Sequence, residues 1–258
     1  MKSRNRFTLL ALVFLFPYTS LSAGETIKVA FGNALAPWVM PEKDNGIIID
    51  LIEATMTPLG YQIEKEYLPY ARRLKSYKLG LVDAVSDINP STIENEHLVG
   101  FFTDMAYSYE NFAYSLKKRN FQFKTMMDLV DFRLMSWQGA VAHLGEKYAE
   151  MANNNPLYSE HHDQSVQVKM LFLERVDVIQ MDKQIFSYYR QQVGDQSKID
   201  TSPEVDRFDF FGESPNGFLF RSIKMRDEFN QQLKLIKASG QYQEIMKKYN
   251  YKPGISVP

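Results

Sequence analysis

The sequence predicts an α/β protein built as two lobes, each a mainly parallel sheet with covering helices, with the chain crossing twice between them. Three observations predict it. Short apolar segments of period two alternate with segments of helical period, the pattern of parallel strands joined by helices. That alternation runs through before the basic cluster Lys117-Lys118-Arg119 and starts again after it. Two further extended segments, near 109–116 and 216–221, stand where a chain would pass from one lobe to the other and back.

The elements follow in order. Residues 26–31 alternate polar and apolar and read as a strand, followed by a Gly- and Pro-containing loop over 32–46. The Ile-rich run 47–54 leads into a helix that stops before Pro58-Leu59-Gly60. A strand over 61–67 and a helix over 71–79 come next, with Gly80 at a C-cap position, then a strand over 82–86. The second unit has a short helix over 125–130, a strand over 132–136 and one long helix over 140–153, broken by Asn153-Asn154-Asn155-Pro156. Helices over 165–174 and 183–192 flank a strand over 176–180; 217–221 is extended, and helices over 225–238 and 242–249 are separated by Ser239-Gly240. Ligands of open α/β sheets bind beyond the carboxyl ends of the strands, and two such lobes face each other across a cleft that a hinge can close.

The N-terminus places the protein outside the cytoplasm. Lys2, Arg4 and Arg6 precede an apolar run over 7–16, then Pro17 and the small residues of Ser20-Leu21-Ser22-Ala23-Gly24. That is the order of a secretory signal peptide, and its apolar part is about half the ~20 residues a spanning helix needs. Cleavage is expected between Ser22 and Glu25. The segment boundaries are thus 1–23 for the signal, 24–110 for the first part of lobe 1, 111–216 for lobe 2 with the first hinge strand, and 217–258 for the second hinge strand and the return to lobe 1.

The chain has no cysteine, which excludes a thiol nucleophile, a CxxC redox pair, a thiolate metal site and an acyl-cysteine anchor. A free protein of the periplasm, not a lipoprotein, is expected. Net charge is −1, and the signal segment's three cations leave the remainder near −4; no basic stripe points to nucleic acid. No P-loop, HExxH or Ser-His-Asp order is present, and the adjacent His161-His162 lacks metal-site spacing. No metal, cofactor or catalytic residue is assigned.

Five short blocks carry a resemblance: Gly46-Ile47-Ile48-Ile49-Asp50-Leu51-Ile52; Gly80-Leu81-Val82-Asp83-Ala84; Arg175-Val176-Asp177-Val178 with Asp182 after it; Asn216-Gly217-Phe218-Leu219-Phe220-Arg221; and Ala238-Ser239-Gly240-Gln241-Tyr242-Gln243-Glu244-Ile245. In this order, over nearly all of the chain beyond the signal, they resemble the bacterial extracellular solute-binding proteins of family 3, the polar amino-acid type. The resemblance implies a two-lobed periplasmic-binding-protein type II fold with two hinge crossings. It implies capture of a small polar solute, an amino acid or related zwitterion or organic ion, for delivery by a monomer to an ABC permease. A membrane sensor in place of the permease, or a dehydratase-like enzyme, are the alternatives.

The resemblance also implies a site. Trp38 and Tyr70 stand where the family's first-lobe aromatics cover the ligand, and Asp182 where an acid holds its ammonium; Asp182 also suits a helix N-cap. Thr92 is retained from the family's Thr-Pro-Glu-Arg run, but Asn95 replaces the arginine that grips a carboxylate, and an amide cannot supply that charged fork. Gly139 and Ala140 represent the turn that presents backbone amides at a helix N-terminus, with His143 close behind. Arg72, two residues after Tyr70, resembles a variant cation expected to point into the cleft while Arg73 faces solvent or an acid. Ser86, Asp87, Asn89 and Ser91 follow the third strand and are expected to line the cleft with polar groups.

Overall fold

The computed structural model describes residues 24–33 and 35–250. The expected signal segment, 1–23, lies outside them. The first half runs β1 (Thr26–Gly32), α1 (Ile47–Met56), β2 (Gln62–Leu68), α2 (Tyr70–Lys78), β3 (Ala84–Ile88), α3 (Pro90–Asn95) and the short β4 (Phe101–Phe102). β1 lies between β2 and β3 and is parallel to both. The chain leaves along β5 (Tyr107–Leu116). The second half then holds β6 (Leu134–Trp137), α4 (Ala140–His143), α5 (Glu146–Asn154), β7 (Ser159–His161), α6 (Gln164–Phe172), β8 (Val178–Asp182), α7 (Lys183–Gln196) and β9 (Val205–Phe208). β6 is parallel to β7 and β8 on its two sides. β10 (Glu213–Phe220) returns, followed by α8 (Ile223–Ser239) and α9 (Gln241–Lys248).

All the strands join in one curled sheet of order β2-β1-β3-β10-β5-β8-β6-β7, with β4 on β10 and β9 on β5. Its middle is a two-stranded ribbon in which Tyr107 to Glu110 pair antiparallel with Asn216 to Glu213. Beyond the ribbon, β5 pairs with β8 from Asn111 to Tyr114, and β10 pairs with β3 from Gly217 to Phe220. Each crossing strand is therefore shared between the halves. Gly217 marks the register shift where β10 changes partner, and a Cβ there would come 2.5 Å from the Thr103 hydroxyl that accepts the Phe218 N–H. Within the ribbon, Pro215 is paired with Ser108 and brings no N–H to that rung.

Burial decides α1. Ile47, Ile48 and Ile49 are β-branched and weak helix formers by a few tenths of a kcal/mol each. Together with Leu51 and Ile52 they are fully buried, in a cluster with Ile27, Val29 and Phe31 of β1 and Phe229, Leu233 and Ile236 of α8. Each such side chain contributes about 1.5–3 kcal/mol, which outweighs propensity. Lys248 and Tyr249 both reach Asp50 of α1 at 2.9 Å, tying the end of α9 to the first half.

The structure departs from the sequence reading in places. The single helix expected over 140–153 is two, α4 and α5, parted at Gly145, whose φ of 91° lies in the left-handed region that glycine tolerates. The strand expected over 82–86 lies two residues later, which brings Asp87 into β3. The short α3, β4, β7 and β9 were not anticipated; of these, α3 has a readable start, with Pro90 at its first turn and the Asn89 side chain accepting the Thr92 N–H.

Candidate functional site

The carboxyl ends of β1 and β3 lie beside the ribbon, and a partly buried polar cluster forms there. Arg73 is 2% exposed. Its Nη2 lies 3.3 Å from Asp87 Oδ2, and its guanidinium sits 5.4 Å from the Tyr70 ring centre. Its Nε is buried without a hydrogen-bond partner. Gly32, at the end of β1, makes room for it: a Cβ there would stand 3.3 Å from Arg73 Nη1. The other oxygen of Asp87 accepts the Tyr109 hydroxyl at 2.8 Å. Burial, and then the Asp87 charge, push the Tyr109 hydroxyl well above the usual tyrosine range, so it stays a proton donor. Asp87 holds a φ of 61°, a left-handed conformation costing an ordinary residue about 1–2 kcal/mol.

This corrects the expectation for the arginines. Arg72 is exposed and Arg73 is inside. α2 begins at Tyr70, so residues 70, 73 and 77 share one helical face; Tyr77 and Leu74 are buried, and Arg73 falls in that stripe while Arg72 lies about 100° away. Arg73 thus faces an acid, Asp87, one of the two settings expected for it, but does so from the buried strand ends where Arg72 was expected.

Trp38 adjoins the cluster. It is fully buried, with its ring 4.7 Å from Tyr109 and 5.3 Å from Tyr107. Its Nε1 donates to Asp182 Oδ1 at 2.9 Å, a bond between the two halves. Asp182 Oδ1 also accepts the Gln184 and Ile185 amides at 3.0 and 3.1 Å, capping α7, and its Oδ2 accepts the Glu110 amide at 2.9 Å. Burial outweighs these donors and raises the Asp182 carboxyl to about 6. Its four donors all come from the protein.

The remaining expected residues fall as follows. Tyr70 is half exposed at the start of α2. The Asn89 carbonyl caps α3, and Thr92, partly buried, supplies the capped amide. In the second half, Gly139 has a φ of 100° and its N–H donates to Glu160 Oε2 at 2.8 Å. The Val141 N–H and the Tyr158 hydroxyl reach Glu160 Oε1 at 3.2 and 2.9 Å. Burial opposes the charge on Glu160, but these donors hold its carboxyl below the usual range. The protein's own carboxylate thus occupies the turn expected to meet a ligand's. Ala140 is fully buried, and the Trp137 ring stacks 5.7 Å from His143. Tyr70, Arg73, Asp87, Tyr109, Trp38 and Asp182 form one contiguous group; Gly139 and Ala140 have Trp137, His143 and Glu160 as their neighbours. Tyr109, Arg73 and Glu160 were not assigned from the sequence.

Among the described residues no group of three His, Cys, Asp or Glu is placed to hold a metal ion, and no helix is long and apolar enough to cross a membrane.

A curled sheet split into two halves by a two-stranded ribbon, with a polar cluster at the junction, defines a hinged binding protein. The sequence over residues 27–252 matches the bacterial extracellular solute-binding proteins, family 3, and the chain belongs to that family. No curated protein matches it. Among solved structures it is similar to an ancestral cationic amino acid solute binding protein, AncCDT-1, at 19% identity and a TM-score of 0.66, over 87% of this chain and 95% of that one. It is similar to the GluR0 ligand binding core complexed with L-glutamate, at 15% identity and a TM-score of 0.66, over 88% of this chain and 99% of that one. Substrate binding domain 2 of Lactococcus lactis GlnP, in an open conformation, aligns at 18% identity and a TM-score of 0.63, over 88% of this chain and 95% of that one. The shared architecture is the two-lobed type II binding fold.

Proposed function

We propose that this chain captures a small solute bearing a carboxylate, an amino acid or related zwitterion, between its two halves and delivers it to a membrane permease after export to the periplasm. The observation that carries this reading is Arg73. A guanidinium has five N–H donors, and this one, buried at the strand ends, makes a single long contact with Asp87 and leaves its Nε unmatched. A ligand carboxylate supplies the missing acceptors, and Asp87 beside it suits an ammonium. Arg73 thereby takes the part that Asn95 cannot. Tyr70, half exposed next to the guanidinium, offers a flat ring to the solute. The amino acids named for the similar structures agree with this class.

Capture without chemistry accounts for Asp182 as well. A general acid must reach a leaving group, whereas this carboxyl is engaged by four protein donors. The test is calorimetric titration of amino acids and small organic acids into the wild type, R73Q and R72Q. R73Q is expected to weaken the best ligand about 30-fold or more, the loss of a desolvated charge pair of about 2 kcal/mol, and R72Q to stay within about threefold. Equal affinities for R73Q and the wild type would remove Arg73 from the site. Absence of binding by any carboxylate would overturn the solute class.

A further inference from the structure

We infer that Tyr107 and Gln184 complete the grip on the solute, Tyr107 beside Arg73 at its carboxylate and Gln184 at its ammonium, so that the site takes amino acids and rejects the same acids without the amino group. Both roles rest on the solute capture proposed above and narrow its solute class. Buried polar atoms in folded proteins are paired, so one left unpaired beside a binding cluster marks a partner to be gained. Besides Arg73 Nε, two such atoms stand along the junction of the halves. The Tyr107 hydroxyl, on the ribbon, has no hydrogen-bond partner among the described residues, and neither has Gln184 Oε1, in the first turn of α7. Tyr107 and Gln184 are 2% and 5% exposed, so bulk water does not serve them.

Its neighbours place Tyr107 at the Arg73–Asp87 pair. Its ring centre lies 5.9 Å from that of Tyr109, whose hydroxyl holds Asp87. Burial and then the Asp87 charge push the Tyr107 hydroxyl well above the usual tyrosine range, with the Arg73 charge opposing them. The Asp87 amide faces the hydroxyl oxygen without reaching hydrogen-bond geometry. The hydroxyl therefore keeps a proton that no acceptor takes, near a guanidinium whose Nε lacks one too. The two oxygens of a carboxylate have lone pairs enough for both donors.

Gln184 lies where α7 meets the first half. Its N–H and Trp38 Nε1 converge on one oxygen, Asp182 Oδ1, at 3.0 and 2.9 Å. Tyr188, four residues on along the same helical face, feels the charge of Glu42 in the first half. Asp182 is occupied by four protein donors, and Gln184 provides an open acceptor two residues beyond it. An ammonium has three donors, so one can go to Asp87 of the first half and another to Gln184 of the second. A hydrogen in place of the amino group leaves Gln184 unserved, which costs affinity because its oxygen is buried.

The test is calorimetric titration of amino acids, each paired with the acid that lacks its α-amino group: L-alanine with propionate, L-phenylalanine with 3-phenylpropionate, L-glutamate with glutarate and L-lysine with 6-aminohexanoate. The proteins are the wild type, Y107F, Q184M, Q184E and R73Q. For the tightest-binding pair, the wild type is expected to prefer the amino acid. Q184M is expected to weaken the amino acid about tenfold or more and its partner less than about threefold, whereas Q184E keeps an acceptor and retains the preference. Y107F is expected to weaken both members of the pair alike, by about tenfold. Y107F and Q184M each remove an unpaired atom, so without solute they should melt no lower than the wild type; a large drop would give that residue a structural role and overturn its assignment. A wild type without preference, or a preference unchanged in Q184M, would overturn the inference. Binding that R73Q weakens and Y107F and Q184M leave alone would remove these two residues and keep the Arg73 site; no binding by any of the acids would remove both.

Discussion

At the scale of single residues, Asp182 was expected to hold a ligand's ammonium and instead holds the protein's own groups. Its role as the N-cap of α7 was legible, because a cap depends on residues two and three places along. Its bond to Trp38 was not, because the partner lies 144 positions away. The raised Asp182 pKa has a definite consequence. An acid whose folded value is about 6, against 3.8 when free, binds its proton more tightly in the folded state. It therefore contributes stability that is full below about 3.8 and lost as pH rises through about 6. The total is on the order of 3 kcal/mol. Urea unfolding of the wild type and D182N should show a stability difference that moves against the wild type between those pH values and is flat above them. A parallel pair of profiles would mean that the four donors offset burial completely.

At the scale of elements, most long periodic segments were read correctly, the helix expected over 140–153 being the exception, and several of the shortest were missed. α1, α2, α7 and α8 each bury a continuous side, so their periodicity survives in the sequence. β4 and β7 hold two and three residues, too few for any period, and exist because neighbouring strands offer free edges. α3 is short but carries a local signal in Asn89 and Pro90. N89A should therefore cost about 1 kcal/mol through loss of the cap, measured by thermal or urea unfolding. A cost near zero would mean that the α3 turn is held by the strands before and after it. Arg73 belongs to this scale too. Its burial comes from sharing the buried face of α2 with Leu74 and Tyr77, which a match of short motifs cannot convey.

At the scale of the whole molecule, the alternation of strands and helices predicted the two-lobed class and both crossing segments, since these rest on order along the chain. The pairing between halves was not readable, because it depends on how far they close. Trp38 and Asp182 contribute one hydrogen bond across that gap, and removing a donor from a buried acceptor costs about 1–3 kcal/mol. W38F keeps an aromatic ring at this buried position but loses the N–H and part of the indole's bulk, and should enlarge the radius of gyration seen by small-angle X-ray scattering. An unchanged radius would place the grip between the halves elsewhere, with Tyr109 and Asp87 the next pair to test. The ribbon at the centre bears on the same motion. A pair of strands only four rungs long is a soft torsion spring. Little elastic energy is stored when the halves rotate about it, so the recoil that opens the protein is weak. The lifetime of the shut form is then set by the groups that meet across the gap, and mutations at that meeting line should change dissociation rates far more than mutations along the ribbon.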